Sequence, residues 1–127
     1  MDILSRVLQQ LPSPKPIVWV GSSIHDMRRC RPEVQNEAGA ELRTLQCGGM
    51  PSDWKPMPTV GKGVGEIRIS TQTEHRIFFV ARFHEAIYIL HAFEKKSQAT
   101  ARHDIELGRA RYQALLRARA EGRRRVD

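Results

Sequence analysis

EHRIFFVARFHEAIYILHAFEKKSQATARHDIELGRARY, residues 74–112, is the stretch on which the fold turns. Its first half holds two apolar runs rich in Ile, Val, Phe and Tyr, the residues that pack best on a pleated, half-buried surface. They predict strands over 75–83 and 86–93, joined at His84-Glu85. After Lys95-Lys96 the pattern changes to helix. Ile105, Tyr112, Leu115 and Leu116 make an apolar stripe, and Arg102, Arg109, Arg111, Arg117 and Arg119 fall on the other faces.

Side chains alternate along a strand, so parity assigns them to faces. Arg76, Phe78, Val80 and Arg82 share one face; Ile77, Phe79, Ala81 and Phe83 share the other. The second face is wholly apolar and predicts packing against helices. The first has cations at both ends of an apolar middle. In the next strand His91, Phe93 and Lys95 fall with Ile87 and Ile89, opposite Tyr88, Leu90 and Lys96. If Ile67 and Ile69 point inward, Arg68 joins Arg76. Arginines there, flanked by Lys95 or Lys96, would hold a phosphate, because a guanidinium bonds two phosphate oxygens at once. Solvated cations on a wet sheet face are the alternative. On this pattern His91 reads first as a satisfied, half-buried histidine and only second as a catalyst.

Working outward, Ile17–Val20 is a short strand closed by Gly21. Two helices follow, over 23–30 and 32–47, separated because Pro32 suits only the first turn of a helix. Gly48-Gly49 stops the second. Residues 50–64 are rich in Pro and Gly and read as a loop pinned by Trp54, Met57 and Val60. From Glu66 a period-two strand begins, with Thr71-Gln72-Thr73 turning into the next. Consecutive strands with short links make an antiparallel meander. Ile3, Val7, Leu8 and Leu11 suggest a helix over 1–11, stopped by Pro12, Pro14 and Pro16. The order is β-α-α-β-β-β-α. The expected fold is α+β: an antiparallel sheet of three to four strands packed by the helix pair, with the last helix beside it. The expected divisions are an appendage at 1–14, one domain at 15–120 and a basic tail at 121–127.

At 127 residues, with 40% apolar and 28% charged side chains, the chain is one globular domain. Its net charge of +7 predicts an anionic partner, nucleic acid first and an acidic protein second. Residues 61–127 carry 14 Lys and Arg against 8 Asp and Glu, while residues 1–60 carry 7 against 6, so the anion should meet the second half. Two cysteines outside any CxxC pattern predict reduced thiols and a cytoplasmic setting. No apolar run approaches a membrane span, and the N-terminus lacks the pattern of a signal peptide. Gly61-Lys62-Gly63 leads into a strand rather than a helix and lacks the rest of a nucleotide-binding loop. His75, His84, His91 and His103 have no metal-ligand spacing.

Five segments occur in an order that resembles a known family: Lys15-Pro-Ile-Val-Trp-Val-Gly-Ser-Ser, Gly65-Glu-Ile-Arg-Ile, His75-Arg-Ile-Phe-Phe-Val, Leu90-His-Ala-Phe-Glu-Lys-Lys-Ser-Gln and Asp104-Ile-Glu-Leu-Gly-Arg-Ala-Arg-Tyr. Over about residues 15–118 the chain resembles the phage-derived branch of the RelE/HigB-like toxins, within the RelE/ParE superfamily of type II toxin–antitoxin systems. The resemblance implies a cytoplasmic mRNA endoribonuclease, usually ribosome-dependent, needing no metal or other cofactor. It implies a cognate antitoxin, often of helix-turn-helix type, in a toxin–antitoxin hetero-oligomer, with mRNA and the ribosome as targets and no membrane partner. By the same resemblance Arg76 would stabilise transition-state charge. Lys95 and Lys96 would bind phosphate or transfer a proton, and His91 falls within the motif as a further catalytic candidate. Arg68 matches the basic residue of the preceding strand and would contact RNA; Arg82, a cation at the strand end, and His75, which could also substitute as proton carrier beside Arg76, are further RNA-binding candidates. Departures are His75, where an aromatic residue is usual, Gly65, where many relatives are larger, and Thr100-Ala101 in place of Thr-Pro. Two other readings stay open: a ParE-like toxin that binds DNA gyrase without cutting RNA, and a non-toxic phage RNA-binding protein.

Overall fold

The structure, a computed structural model, describes residues 2–4, 6 and 13–126, with side chains through Arg123. The helix expected over 1–11 therefore lies largely outside the described residues. Strand β1 (Ile17–Trp19) leads into helix α1 (Ser23–Arg28), and Pro32 opens helix α2 (Pro32–Gln46) as its first residue. Strands β2 (Trp54–Pro56), β3 (Val64–Ser70), β4 (Glu74–Val80) and β5 (Ile87–Glu94) follow, then helix α3 (Arg102–Val126).

The sheet has five strands in the order β1-β5-β4-β3-β2, where three to four were expected. The unexpected strand is β2, inside the Pro- and Gly-rich loop. It occupies the sheet edge and pairs antiparallel with β3, Trp54 against Ile67 and Pro56 against Gly65. Proline is tolerated at an edge because the missing N–H costs no ladder bond there. β1 pairs in parallel with β5, while β3, β4 and β5 form the expected meander. Met57 and Val60 pin the loop into the core, whereas Trp54 stays 38% exposed and meets Phe79 edge-on at 6.3 Å.

Both faces of the sheet are covered. Met27, Val34, Ala38, Leu42 and Leu45 of the helix pair pack on Ile67, Ile69, Ile77, Phe79, Ile87 and Ile89. The last helix, expected beside the sheet, instead roofs the Arg76 face: its Tyr112 and Leu115 pack with Phe78, Val80, Leu90 and Phe93. Phe78 and Val80 are each 0% exposed. Two details make this close packing workable. A Cβ on Gly108 would stand 2.9 Å from the Phe78 ring, so only glycine lets α3 come this near. Helix α3 also runs on to Val126, past the end expected near 120. The apolar middle of the Arg76 face is thus core, and only its margins can serve a ligand.

A β-bulge re-aims the last strand. Phe78 pairs with His91 while Phe79 pairs with Ile89, which leaves Leu90 as an extra residue. Beyond it the parity shifts, so Leu90 and His91 both fall on the α3 side, and Ala92 returns to the helix-pair side. The sequence grouping of His91 with Ile87 and Ile89 fails for this reason.

Gly65 stands opposite Phe79, and a Cβ there would lie 2.5 Å from Cζ of the ring. Gly65→Ala should therefore cost about 1–3 kcal/mol by overpacking. A melting temperature unchanged from the parent would show that the ring gives way freely.

Candidate anion-binding site

Arg76 lies near the start of β4, directly opposite Arg68 on β3. Two like charges facing each other across a ladder repel, and Glu66 resolves the conflict. Its Oε1 stands 2.9 Å from Arg76 Nε and 3.9 Å from Arg68 Nε. The Glu66 side chain is 1% exposed and that of Arg76 is 8% exposed. The Glu66–Arg76 approach is an ion pair rather than an aligned hydrogen bond, and among the described residues neither Glu66 oxygen has a hydrogen-bonded partner. Arg76 Nη1 donates to the His75 carbonyl at 2.9 Å and to Glu74 Oε1 at 3.5 Å. The guanidinium is thus held along two of its sides by Glu66, Glu74 and the backbone.

Its remaining nitrogen, Nη2, has no hydrogen-bonded partner among the described residues and belongs to a side chain that borders a shallow depression. Lys95, Lys96, Ser97, Gln98 and Glu74 complete the lining. Chain topology brings them together: Lys95 N–H donates to the Glu74 carbonyl at 2.7 Å, fastening the exit of β5 to the entry of β4. Lys96 is 81% exposed and makes only a loose approach to Glu94, at 3.9 Å, which leaves its ammonium accessible to a further anion. The Glu74 carboxyl is lowered from its ordinary value, first by a hydrogen bond to Ser70 and then by Arg76. The depression offers a fixed guanidinium, two lysine ammonium groups, a hydroxyl and one carboxylate, which is a set able to hold a phosphate and accept a proton beside it.

The other sequence candidates sit elsewhere. Arg68 adjoins the site through Glu66, half-screened by Asp53 at 4.0 Å. His75 is buried and faces the helix-pair side, with Nδ1 at 3.4 Å from the Thr73 hydroxyl, so it cannot meet a ligand held by Arg76. Arg82, past the far end of β4, donates to the Tyr112 hydroxyl at 3.0 Å and lies 4.2 Å from the centre of the Phe83 ring. The Tyr112 hydroxyl in turn donates to the Lys62 carbonyl at 2.6 Å, which makes that tyrosine structural.

His91 is the hub of a separate buried network. Its Nε2 stands 2.7 Å from Asp104 on α3 and its Nδ1 3.2 Å from Asp26 on α1. Arg111 donates from Nη1 to Asp26 at 2.7 Å and to the Leu90 carbonyl at 2.8 Å, and from Nη2 to the Ser22 hydroxyl at 2.7 Å. Arg29 holds the other Asp26 oxygen at 2.7 Å. The His91 ring stacks on Phe93 with centroids 4.8 Å apart. With 5% exposure and both nitrogens occupied, His91 clamps α1, β5 and α3 together and does not reach the depression.

Sequence reasoning missed Glu66, Glu74, Asp26, Asp104 and Arg111. A signal existed for two of them. Asp104, Gly108, Arg111 and Tyr112 recur at helical spacing, so the apolar stripe of α3 carried an acid and a base on its inward side. Glu66 shared the parity of Arg68, yet only the ladder register shows that it neutralises Arg76.

A sheet covered on both faces, with a half-presented arginine at one margin, defines a small α+β protein whose candidate anion site lies at an edge rather than in a cleft. The family follows from the sequence match. The family model described as "Phage derived protein Gp49-like (DUF891)" covers residues 25–113, and the chain belongs to that phage-derived family. Neither a curated protein nor a solved structure matches it. Among the described residues no helix is long and apolar enough to cross a membrane.

Proposed function

We propose that this chain is the toxin of a type II toxin–antitoxin module and acts as a ribosome-dependent, metal-independent mRNA endoribonuclease. Membership of the Gp49-like family supports the toxin half of the reading. The observation that carries the nuclease half is the Arg76 guanidinium, fixed by Glu66 and the His75 carbonyl and bordering a depression with Lys95 and Lys96. A preorganised donor aimed at a developing phosphorane costs no reorganisation during reaction. In this scheme a ribose 2′-hydroxyl attacks the adjacent phosphorus and gives its proton to Glu74. Arg76 and Lys96 neutralise the pentavalent phosphate. The 5′-oxygen leaves with a proton from Lys95, and a 2′,3′-cyclic phosphate remains. His91 keeps α3 and β5 in place.

Induction in bacteria with mapping of RNA ends tests the scheme. The parent should arrest growth and generate new mRNA 5′ ends. Removing the Arg76 donor should lower cleavage about 10²–10³-fold. Because Arg76→Ala also disturbs a buried pair, the exposed-site variants Glu74→Gln and Lys96→Ala give the cleaner comparison; loss of the Glu74 base should cost about 10²–10⁴-fold. Full cleavage by both would refute the assignment. Arrest with double-strand DNA breaks and an SOS response, but intact mRNA, would point to the gyrase-binding reading instead.

A further inference from the structure

β1 is an edge strand, and no other described strand lies along its outer side. Val20 N–H donates to the Ile89 carbonyl and Ile87 N–H to the Pro16 carbonyl, both at 2.9 Å, so residues 16, 18 and 20 turn their peptide groups toward β5. Alternate residues of a strand point the opposite way. The N–H and C=O groups of Ile17 and Trp19 therefore face outward, and no hydrogen bond from another described residue reaches them. The same edge borders a hollow of about 980 Å³ between the sheet and the C-terminal half of α3. Val18, Val20 and Tyr88 form its floor, Ala114 and Ala118 its wall, and Arg123 stands at its rim. Val18 remains 39% exposed there.

We infer that β1 is the docking edge for an extended segment of a protein partner, apolar at alternate positions and acidic beside them. A strand is the occupant that satisfies the outward peptide groups, and its alternate side chains would drop into the hollow. A helix would fill the hollow and leave those groups unbonded. Acidic flanks are expected because Arg119 is already held by Glu85 at 2.7 Å, while Arg123 is exposed and the chain carries a net charge of +7. Self-pairing through this edge would bring two such charges together and is disfavoured. β1 has only three residues, so its hydrogen bonds fix register while the apolar side chains supply most of the affinity. This inference stands whether or not the chain cleaves RNA, since none of its residues lines the Arg76 depression.

The test pans a display library of short random peptides against the immobilised full-length chain. Enriched peptides should alternate apolar and acidic residues, slow hydrogen exchange at the Ile17 and Trp19 amides, and bind more weakly as salt rises. Ala118→Glu, at an exposed helix position, should weaken them about tenfold or more, equivalent to about 1.4 kcal/mol. Unchanged helicity of that variant by circular dichroism separates a blocked groove from a misfolded chain. Enrichment of peptides with helical spacing, unaltered exchange at Ile17 and Trp19, equal binding to Ala118→Glu, or no enrichment would each overturn the inference. So would sedimentation showing that the chain dimerises through this edge.

Discussion

Arg76→Met alone should lower stability by about 3–5 kcal/mol, and adding Glu66→Leu should restore most of the loss. The single change leaves the Glu66 carboxylate, 1% exposed and without a hydrogen-bonded partner among the described residues, facing Arg68 at 3.9 Å. A small domain has about 5–15 kcal/mol in all, so the single variant would sit near the threshold of folding. Replacing both partners by apolar residues of similar volume removes the uncompensated charge along with the pair, and such replacements are often neutral or stabilising. Urea midpoints at constant slope measure both variants, and the cycle isolates the coupling. Simple addition of two losses would show that the pair contributes nothing as a pair. The same cycle bears on the site. Because the restored double variant also lacks the Arg76 guanidinium, it should be stable and yet inactive in the cleavage assay, which separates loss of the donor from loss of the fold.

The order of elements was legible in the sequence because its signals are local. Pro32 separates the two N-terminal helices, Gly48-Gly49 ends the second, and the apolar runs of β4 and β5 are dense enough to need no context. What failed depended on long-range placement. Period-two counting assumes an unbroken strand, so one extra residue at Leu90 sent His91 to the other face. Composition cannot tell whether an arginine-bordered face meets water or a helix. The decision lay in Gly108, whose missing side chain lets α3 rest on Phe78. The site divides in the same way. Arg76, Lys95 and Lys96 were brought together by parity and chain order, and the depression contains all three. Arg82 and His75 shared the positive charge or the neighbourhood in sequence, but strand length carried one to the far end and parity turned the other away. Acids were the blind spot. Arg68, Arg76 and Lys96 each have a carboxylate within 4.0 Å, and charge counts over long segments hide such pairings.

The network around Asp26 should govern acid stability. Burial alone would push the Asp26 carboxyl up, but hydrogen bonds from Arg111 and His91 outweigh it and hold it below its ordinary value of 3.8. A carboxyl with a depressed folded-state value stabilises the protein above its unfolded value, and that contribution is lost as pH falls through the folded value. The parent should therefore lose stability as pH drops below about 3.8. Asp26→Ala should cost about 3–5 kcal/mol at neutral pH, because Arg111 and His91 lose the acid between them in a buried setting. It should also flatten the acid limb, since one linked proton is gone. Glu85 contributes to the same limb: hydrogen bonds from Arg119 and Tyr88 outweigh its burial and lower it from 4.5 to about 2. Its side chain is 33% exposed, so its share is small, and Glu85→Gln subtracts it. Denaturation curves for the three proteins across the acid range separate the two carboxyls. If Asp26→Ala unfolds with the acid dependence of the parent, the clamp joining α1, β5 and α3 is held by packing rather than by charge. His91 and Asp104 would then be bystanders to the stability of the fold.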